Sequence, residues 1–419
     1  MYDWANSSFA TTVLAAFFPV FFKTFWNHGV ESTVSTARLG LATGLGGLAV
    51  ALLSPVLGAM ADAGRAKKKF LAFFLCLGVL STGSFYFVPI GAWQAAVILI
   101  VLADLGFSCG NLFYDSLLVN VAEKSEMDMV SSLGYAVGYA GGGILFAVNV
   151  LMTWKPAWFG LGGASDAVRM SFVTVAVWWF VFAFPILTFV REESRDAGPL
   201  IAVIKEGFDR FKRTAMKIKR RRLLWMYLIA YWLYIDGIYT VISMATDFGL
   251  AIGLSSISLM LSILLVQFVA LPASIGFGKL ARLIGTERAI LSGLAIYVFI
   301  CGAGAFLLRT STDFMVIAAL VGIAQGGVQA LSRSYFGKIV PVDEAAEYFG
   351  FLNLVGKFSS IVGPILVGAV AFLAHRAGVS SHLSSRIAMS SIIVFFMAGG
   401  WLLFKAETAR KSEEAALHG

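Results

Sequence analysis

The sequence predicts an all-α membrane protein of twelve transmembrane helices in two pseudo-symmetric six-helix bundles, and three observations predict it. Hydrophobic residues make up 59% of the chain and charged residues only 13%, about half the charged share of a soluble domain. Twelve apolar stretches reach the roughly 20 residues that cross a hydrocarbon core about 30 Å thick. A loop motif beginning at Gly58 returns in degraded form 220 residues later at Gly278, in a chain of 419 residues, as expected for an internally repeated bundle.

The predicted spans cover residues 6–26, 38–60, 70–90, 94–120, 130–152, 169–190, 223–246, 255–278, 289–308, 314–337, 347–373 and 386–404. Met1 leads almost directly into the first span, without a basic region or a small-residue cleavage site, so this span is expected to stay in the mature protein. Most of the 32 Lys and Arg residues fall on the side that holds both termini and the loops after spans 2, 4, 6, 8 and 10. Only Lys23, Arg38, Lys155, Arg169, Arg309, Arg376 and Arg386 fall opposite. By the positive-inside rule both termini are expected in the cytoplasm, in a bacterial cytoplasmic membrane. The net charge of +8 is thereby a topology signal, and no nucleic-acid partner is expected.

Cys76, Cys109 and Cys301 lie within spans and His28, His375, His382 and His418 are scattered, so neither a disulfide framework nor a metal site is expected. The glycines of Gly44–Gly47 lie inside a span with no preceding strand, which argues against a nucleotide loop. No cofactor and no enzymatic centre are expected.

The loop from Arg191 to Arg222 carries eleven basic and five acidic residues and divides the spans six and six. Leu200, Ile201, Val203, Ile204, Phe208, Phe211 and Ile218 recur among its charges at roughly helical spacing, which predicts an amphipathic helix on the membrane surface. Its bases either anchor topology or sense lipid; the pattern leaves both open. The expected organisation is therefore an N-terminal bundle over 1–190, a basic linker over 191–222, a C-terminal bundle over 223–404 and a tail over 405–419. A second echo supports the repeat: Gly110 and Gly134 are 24 residues apart, as are Gly326 and Gly350, at an offset of 216.

The Gly58–Lys69 segment, GAMADAGRAKKK, resembles the loop between helices 2 and 3 of the major facilitator superfamily, and Gly278 opens a counterpart between helices 8 and 9. The segments Tyr2–Ala10, YDWANSSFA, and Gln329–Ser334, QALSRS, resemble the "unknown major facilitator" branch, which includes fungal autophagy-related vacuolar effluxers. The resemblance implies twelve helices around a central cavity lined by helices 1, 4, 7 and 10. It also implies that Asp62 meets a helix N-terminus and a basic neighbour when the outward face is open. A carboxylate at the positive end of a helix is favourable. The first copy is one residue short between Asp62 and its basic run, and the second has Arg282 where an acid is expected. Unequal gate latches are the expectation, with Asp62, Arg65, Asp115 and Arg333 as gate residues.

Charges at membrane depth are costly and point to function. Asp104, Ser108, Asn111 and Asp115 keep the i, i+4, i+7, i+11 spacing of one helical face in span 4. Asp104 lies about ten residues, hence about 15 Å, into that span and is either a proton carrier or a permanently paired acid. Span 7 offers Trp232, Asp236, Tyr239 and Ser243 on one stripe, with Tyr234 beside it. These are rings with polar tips that suit an organic solute, or else aromatic packing. Asp236 is expected with Asp104 to carry the proton if transport is proton-coupled. Gln325, Gln329 and Arg333 recur every fourth residue in span 10, and Asn353 and Lys357 likewise in span 11. Gly134, Gly138 and Gly142 form a close-packing face in span 5, suited either to sliding between the halves or to static packing.

Acids and bases around one cavity suit a zwitterion or an organic anion. The expected activity is secondary active transport of a small polar or zwitterionic solute, an amino acid or related metabolite, by alternating access with proton coupling, in a chain that acts as a monomer within the lipid bilayer. The alternatives are an efflux pump for amphiphilic compounds and a non-transporting receptor of the same fold.

Overall fold

The computed structural model is helical as expected, with no strand among the described residues. Those residues are the whole chain except 193–199, 252–255, 307–309, 360–361 and 419. The side chains of 32–33, 200–205, 244–251, 256–257, 305, 381–382, 385 and 412–418 also lie outside them. Arg309, the side chains of Leu200, Ile201, Val203 and Ile204, and those of His382 and His418, named above, are thus not described.

The helices are α1 (Tyr2–Trp26), α2 (Ser32–Ala63), α3 (Lys67–Ser84), α4 (Trp93–Val121), α5 (Met127–Trp154) and α6 (Ala164–Phe189). The linker helix α7 (Leu200–Arg220) follows. After it come α8 (Arg222–Ala251), α9 (Ser256–Ile284), α10 (Thr286–Phe306) and α11 (Ser311–Ile339). The chain closes with α12 (Ala345–Phe358), α13 (Val362–Arg376), α14 (Ser381–Ser391) and α15 (Ile393–His418). Among the described residues twelve stretches are long and apolar enough to cross a membrane.

Three details depart from a plain row of spans. The turns of α1 widen over Phe9–Phe17 and Phe22–Trp26, where Asn27 N–H bonds the carbonyl five residues back, at 2.8 Å. Such wide turns recur at functional sites. The eleventh span consists of two helices, α12 and α13. Pro364 falls in the first turn of α13, where a missing N–H breaks no helical bond. The last helix runs to His418, well past the residue 404 at which the twelfth span was expected to end. Pro55 and Pro272 lie inside α2 and α9, ahead of Gly58 and Gly278, a further echo of the repeat.

The chain divides into two compact units that exchange short segments. One comprises Met1–Ala122, Gly134–Phe208 and Pro341–Asn353; the other comprises Glu123–Leu133, Asp209–Val340 and Leu354–Gly419. In the first unit an aromatic cluster of Phe18, Phe21, Trp26, Phe85 and Phe172 ties α1 to the ends of α3 and α6. A Cβ on Gly106 of α4 would lie 2.6 Å from Gly78 Cα and 2.7 Å from the Phe74 carbonyl oxygen of α3, so these backbones touch. The α5 glycines pack on α1: a Cβ on Gly138 would meet Asp3 Cβ at 3.1 Å, and one on Gly142 the Ser7 carbonyl oxygen at 3.1 Å. Of the two readings of this glycine face, static packing within one unit is the one observed for these residues.

In the second unit α9 and α11 approach through Gly322 and Gly326, where an added Cβ would meet the Val266 carbonyl oxygen at 2.9 Å and that of Ala270 at 2.7 Å. Gly237 and Gly399 admit α15 against α8. Without a hydrophobic drive between helices in lipid, small residues that let backbones touch supply the packing. Gly106→Ala is expected to lower stability by about 1–3 kcal/mol, read as a lower melting midpoint of the purified protein; an unchanged midpoint would contradict the α3–α4 backbone contact.

Candidate functional site

The two copies of the repeated motif perform the same local task. Gly58, near the end of α2, lies against the first turn of α12: an added Cβ would strike the Ala346 carbonyl and stand 3.0 Å from Glu347 Cα. Gly278, near the end of α9, lies against the first turns of α5, where an added Cβ would stand 2.8 Å from Ser132 Cβ. Each copy thus brings a helix end against a helix start from the other half of the sequence. Gly350 repeats the arrangement one turn further along α12, 2.6 Å from Pro55 Cα by the same measure.

At the first copy the chemistry is that of a capped helix. Asp62 Oδ2 accepts the Glu347 N–H at 2.8 Å, and Oδ1 stands 3.3 Å from Lys67 Nζ. Both side chains are nearly buried. The cation beside Asp62 is Lys67; Arg65, expected at the gate, is exposed and takes a left-handed conformation with φ 44°. The start of α3 is capped in turn by Glu192, whose carboxylate accepts the N–H groups of Lys67 at 2.8 Å and Lys68 at 2.9 Å. Glu192 has no local sequence signal, since its partners are more than 120 positions away.

The second copy lacks an acid at Arg282, and the acid comes from elsewhere. Asp128, in the first turn of α5, accepts hydrogen bonds from Ser334 Oγ at 2.6 Å, Lys338 Nζ at 2.6 Å and Thr286 Oγ1 at 2.8 Å. One buried carboxylate thereby joins α5 to α10 and α11. Arg333 lies alongside, buried, donating through Nε to Ser131 Oγ at 2.9 Å and through a terminal nitrogen to the Ser131 carbonyl at 3.0 Å. A hydroxyl and a carbonyl of α5 are thus among its partners. Asp128 was absent from the candidates because the sequence placed it just outside a span beginning at residue 130.

Along α4 the predicted stripe is present. Ser108 Oγ donates to Asp104 Oδ1 at 3.1 Å, Asn111 Oδ1 accepts the Asn6 amide of α1, and Asp104, Asn111 and Asp115 are half-buried. The stripe is extended by Asp3 of α1 and by Asn353 of the eleventh span. Asp3 accepts the Tyr114 hydroxyl at 2.5 Å, and the Asn353 amide of α12 reaches Ser54 Oγ at 3.0 Å and the Ser108 carbonyl at 3.2 Å. Asp3 and Asn6 lie three positions apart in α1, a polar i, i+3 pair, but Asp3 falls outside the predicted span 6–26.

On α8, Asp236 is fully buried and caps a helix. Its Oδ1 accepts the Gly363 N–H at 2.9 Å, at the start of α13, and the Thr240 hydroxyl stands 3.4 Å away. Gly363 is required here, because an added Cβ would strike both side chains. Tyr234, expected beside the solute, is also fully buried. Its hydroxyl is 2.8 Å from Ser332 Oγ, while Tyr227 donates to the Ser332 carbonyl at 2.7 Å, so these two rings hold α8 to α11. Tyr239 is exposed, and Trp232, Gln325, Gln329 and Lys357 are half-buried.

Two membrane-embedded units of repeated helices with buried carboxylates at their helix starts are the background for comparison with known proteins. The chain matches the family described as vacuole effluxer Atg22 like over residues 32–416. It belongs to that family. The match includes Gln329–Ser334 and begins beyond Tyr2–Ala10. The uncharacterized MFS-type transporter YxiO of Bacillus subtilis (strain 168) is 37% identical over 401 residues, covering 95% of this chain and 91% of that protein. Autophagy-related protein 22 of Yarrowia lipolytica (strain CLIB 122 / E 150) is 22% identical over 444 residues, covering 84% and 73%.

Among solved structures, the proton:xylose symporter XylE of the major facilitator superfamily matches with a TM-score of 0.69 at 13% identity, over 96% of this chain and 91% of that one. The human organic anion transporter MFSD10 matches with a TM-score of 0.66 at 16% identity, over 96% and 97%. These two show the fold. The chain is a multi-pass transporter of the major facilitator superfamily and not an enzyme.

Removing one partner of a buried ion pair costs about 3–5 kcal/mol, because the other charge stays buried. Asp128→Asn, which strands Lys338, is expected to lower stability by roughly 2–4 kcal/mol, and adding Lys338→Met should recover part of the loss. A double-variant cycle in melting midpoints measures this; strictly additive effects would show that the pair carries no coupling.

Proposed function

We propose that this transporter is a secondary active carrier of a small polar or zwitterionic organic solute, an amino acid or a related metabolite, coupled to protons and working by alternating access. The observation that carries the reading is the polar face of α4: Asp104, Ser108 and Asn111 follow one another at helical spacing inside a span, bonded to each other or to α1. A carboxylate stripe at that depth needs protein or water beside it and not lipid, and a polar face of this kind supports polar cargo over a bulky apolar one.

In this reading Asp104 is the proton carrier, with Ser108 and Asn111 holding solute. Trp232, Tyr239, Gln325, Gln329 and Lys357 supply rings, amides and a positive charge from the other half of the sequence. Asp236, expected as a second proton carrier, already accepts a backbone N–H of α13; its proposed part is to hold α13 against α8. Asp62 and Asp128 are the gate carboxylates, and Arg333 a gate brace. Asp115 is kept as a gate residue on its place at the inner end of the stripe. The distribution of bases supports cytoplasmic termini.

The family's description, vacuole effluxer, names a transport role, and two solved structures of this fold are named for organic cargo, a proton:xylose symporter and an organic anion transporter. The experiment is reconstitution in liposomes with counterflow of amino acids and related metabolites chosen by a thermal-shift screen, since a bound ligand raises the melting midpoint. Asp104→Asn is expected to abolish accumulation driven by a proton gradient while leaving solute exchange intact. Uphill transport unchanged in that variant overturns the assignment of Asp104, and the absence of counterflow for any ligand that stabilises the protein overturns the transport reading of those ligands.

A further inference from the structure

We propose that α7 is a docking surface for anionic lipid headgroups. The helix has two faces of different character. Gly207, Thr214 and Ile218, at i, i+7 and i+11, share the buried side: Thr214 and Ile218 are 1% and 7% exposed, and an added Cβ on Gly207 would stand 2.6 Å from Met60 Cγ at the end of α2. The protein therefore already occupies that side.

The opposite side is a stripe in which Phe208, Lys212, Met216 and Lys219 follow at i, i+4, i+8 and i+11. Phe208 and Met216 are 50% and 55% exposed, and Lys212 and Lys219 are exposed between them, with Arg213 and Arg220 exposed at the flank. Apolar groups alternating with bases on one exposed face match the boundary between acyl chains and phosphates, where long basic side chains reach up to the headgroups.

Continuity with the membrane fixes the occupant. The helix ends at Arg220 and α8, a membrane span, begins at Arg222, so the last turn of α7 lies within about 5 Å of the end of a span at 1.5 Å per residue. Lys217, Lys219, Arg220, Arg221 and Arg222 are all exposed there, a run of the size and position that attracts anionic lipid. An acidic protein partner would match the charge but would leave Phe208 and Met216 in water or demand apolar groups of its own.

The test uses the full chain purified in a neutral detergent, with its melting midpoint followed as dioleoylphosphatidylglycerol or dioleoylphosphatidylcholine is added. Phosphatidylglycerol is expected to raise the midpoint and phosphatidylcholine to leave it. Lys212→Gln, Arg213→Gln and Lys219→Gln together should raise the half-saturating phosphatidylglycerol concentration on the order of 100-fold, from three charges at the membrane surface, whereas Lys212→Arg with Lys219→Arg should retain wild-type affinity. Equal response to the two lipids, an unchanged half-saturation in the glutamine variant, or the same stabilisation from glycerol phosphate or a polyglutamate peptide would each overturn the proposal. If the glutamine variant does not fold, wild-type protein decides: stabilisation that persists undiminished from 0.1 to 1 M salt, where the screening length falls from about 10 Å to about 3 Å, would also overturn it.

Discussion

The architecture depends on buried carboxylates that accept hydrogen bonds from the starts of helices. A helix leaves its first four N–H groups without internal partners, and within or near a bilayer there is little water to supply them. Asp62 serves α12, Asp236 serves α13 and Glu192 serves α3. Asp128 lies in the first turn of α5, where negative charge is itself favourable, and directs its oxygens to the hydroxyls and the ammonium of α10 and α11. Glycines at the same places clear the steric room: without Gly58 and Gly363 neither Asp62 nor Asp236 could stand so close to a neighbouring backbone.

This arrangement gives the duplication an unexpected form. The repeat preserves shape more faithfully than chemistry. Gly58 and Gly278 both admit the start of a foreign helix, yet one contact draws its acid from the motif and the other from the helix it receives. Arg282 is consistent with that exchange, because an acid there would add a second carboxylate to a helix end whose neighbour, α5, already carries Asp128. At the first copy the acid, Asp62, belongs to the motif; at the second, Asp128 of α5 supplies a carboxylate to the neighbouring helices.

The sequence made the fold legible because the bilayer reads composition directly: span length, basic loops and the repeated motif all follow from a single solvent constraint, and the family follows from short motifs. The site was legible only where periodicity within one helix reported it, as for Asp104, Ser108 and Asn111. It was illegible where partners come from distant segments. Nothing near Asp128 announces Ser334 or Lys338, and Tyr234 looked like a solute contact because a ring with a hydroxyl tip is equally suited to packing. The division of the eleventh span had a local signal in Pro364 after Gly363, but a hydropathy count passes over it, since the residues on both sides are apolar.

The reciprocal exchange of short segments also sets an order of events while the chain is made. Asp62 is synthesised 285 residues before the N–H it accepts, and Asp128 some 206 residues before Ser334. At about 5–20 residues per second, these two carboxylates wait roughly 10–60 s for their distant partners. During that interval Lys67, five positions from Asp62, is the counter-charge at hand for one of them, while Ser334 and Lys338, the α11 partners of Asp128, are still to be made. The first half of this transporter therefore enters the membrane unfinished, and its last contacts form only when the second half arrives.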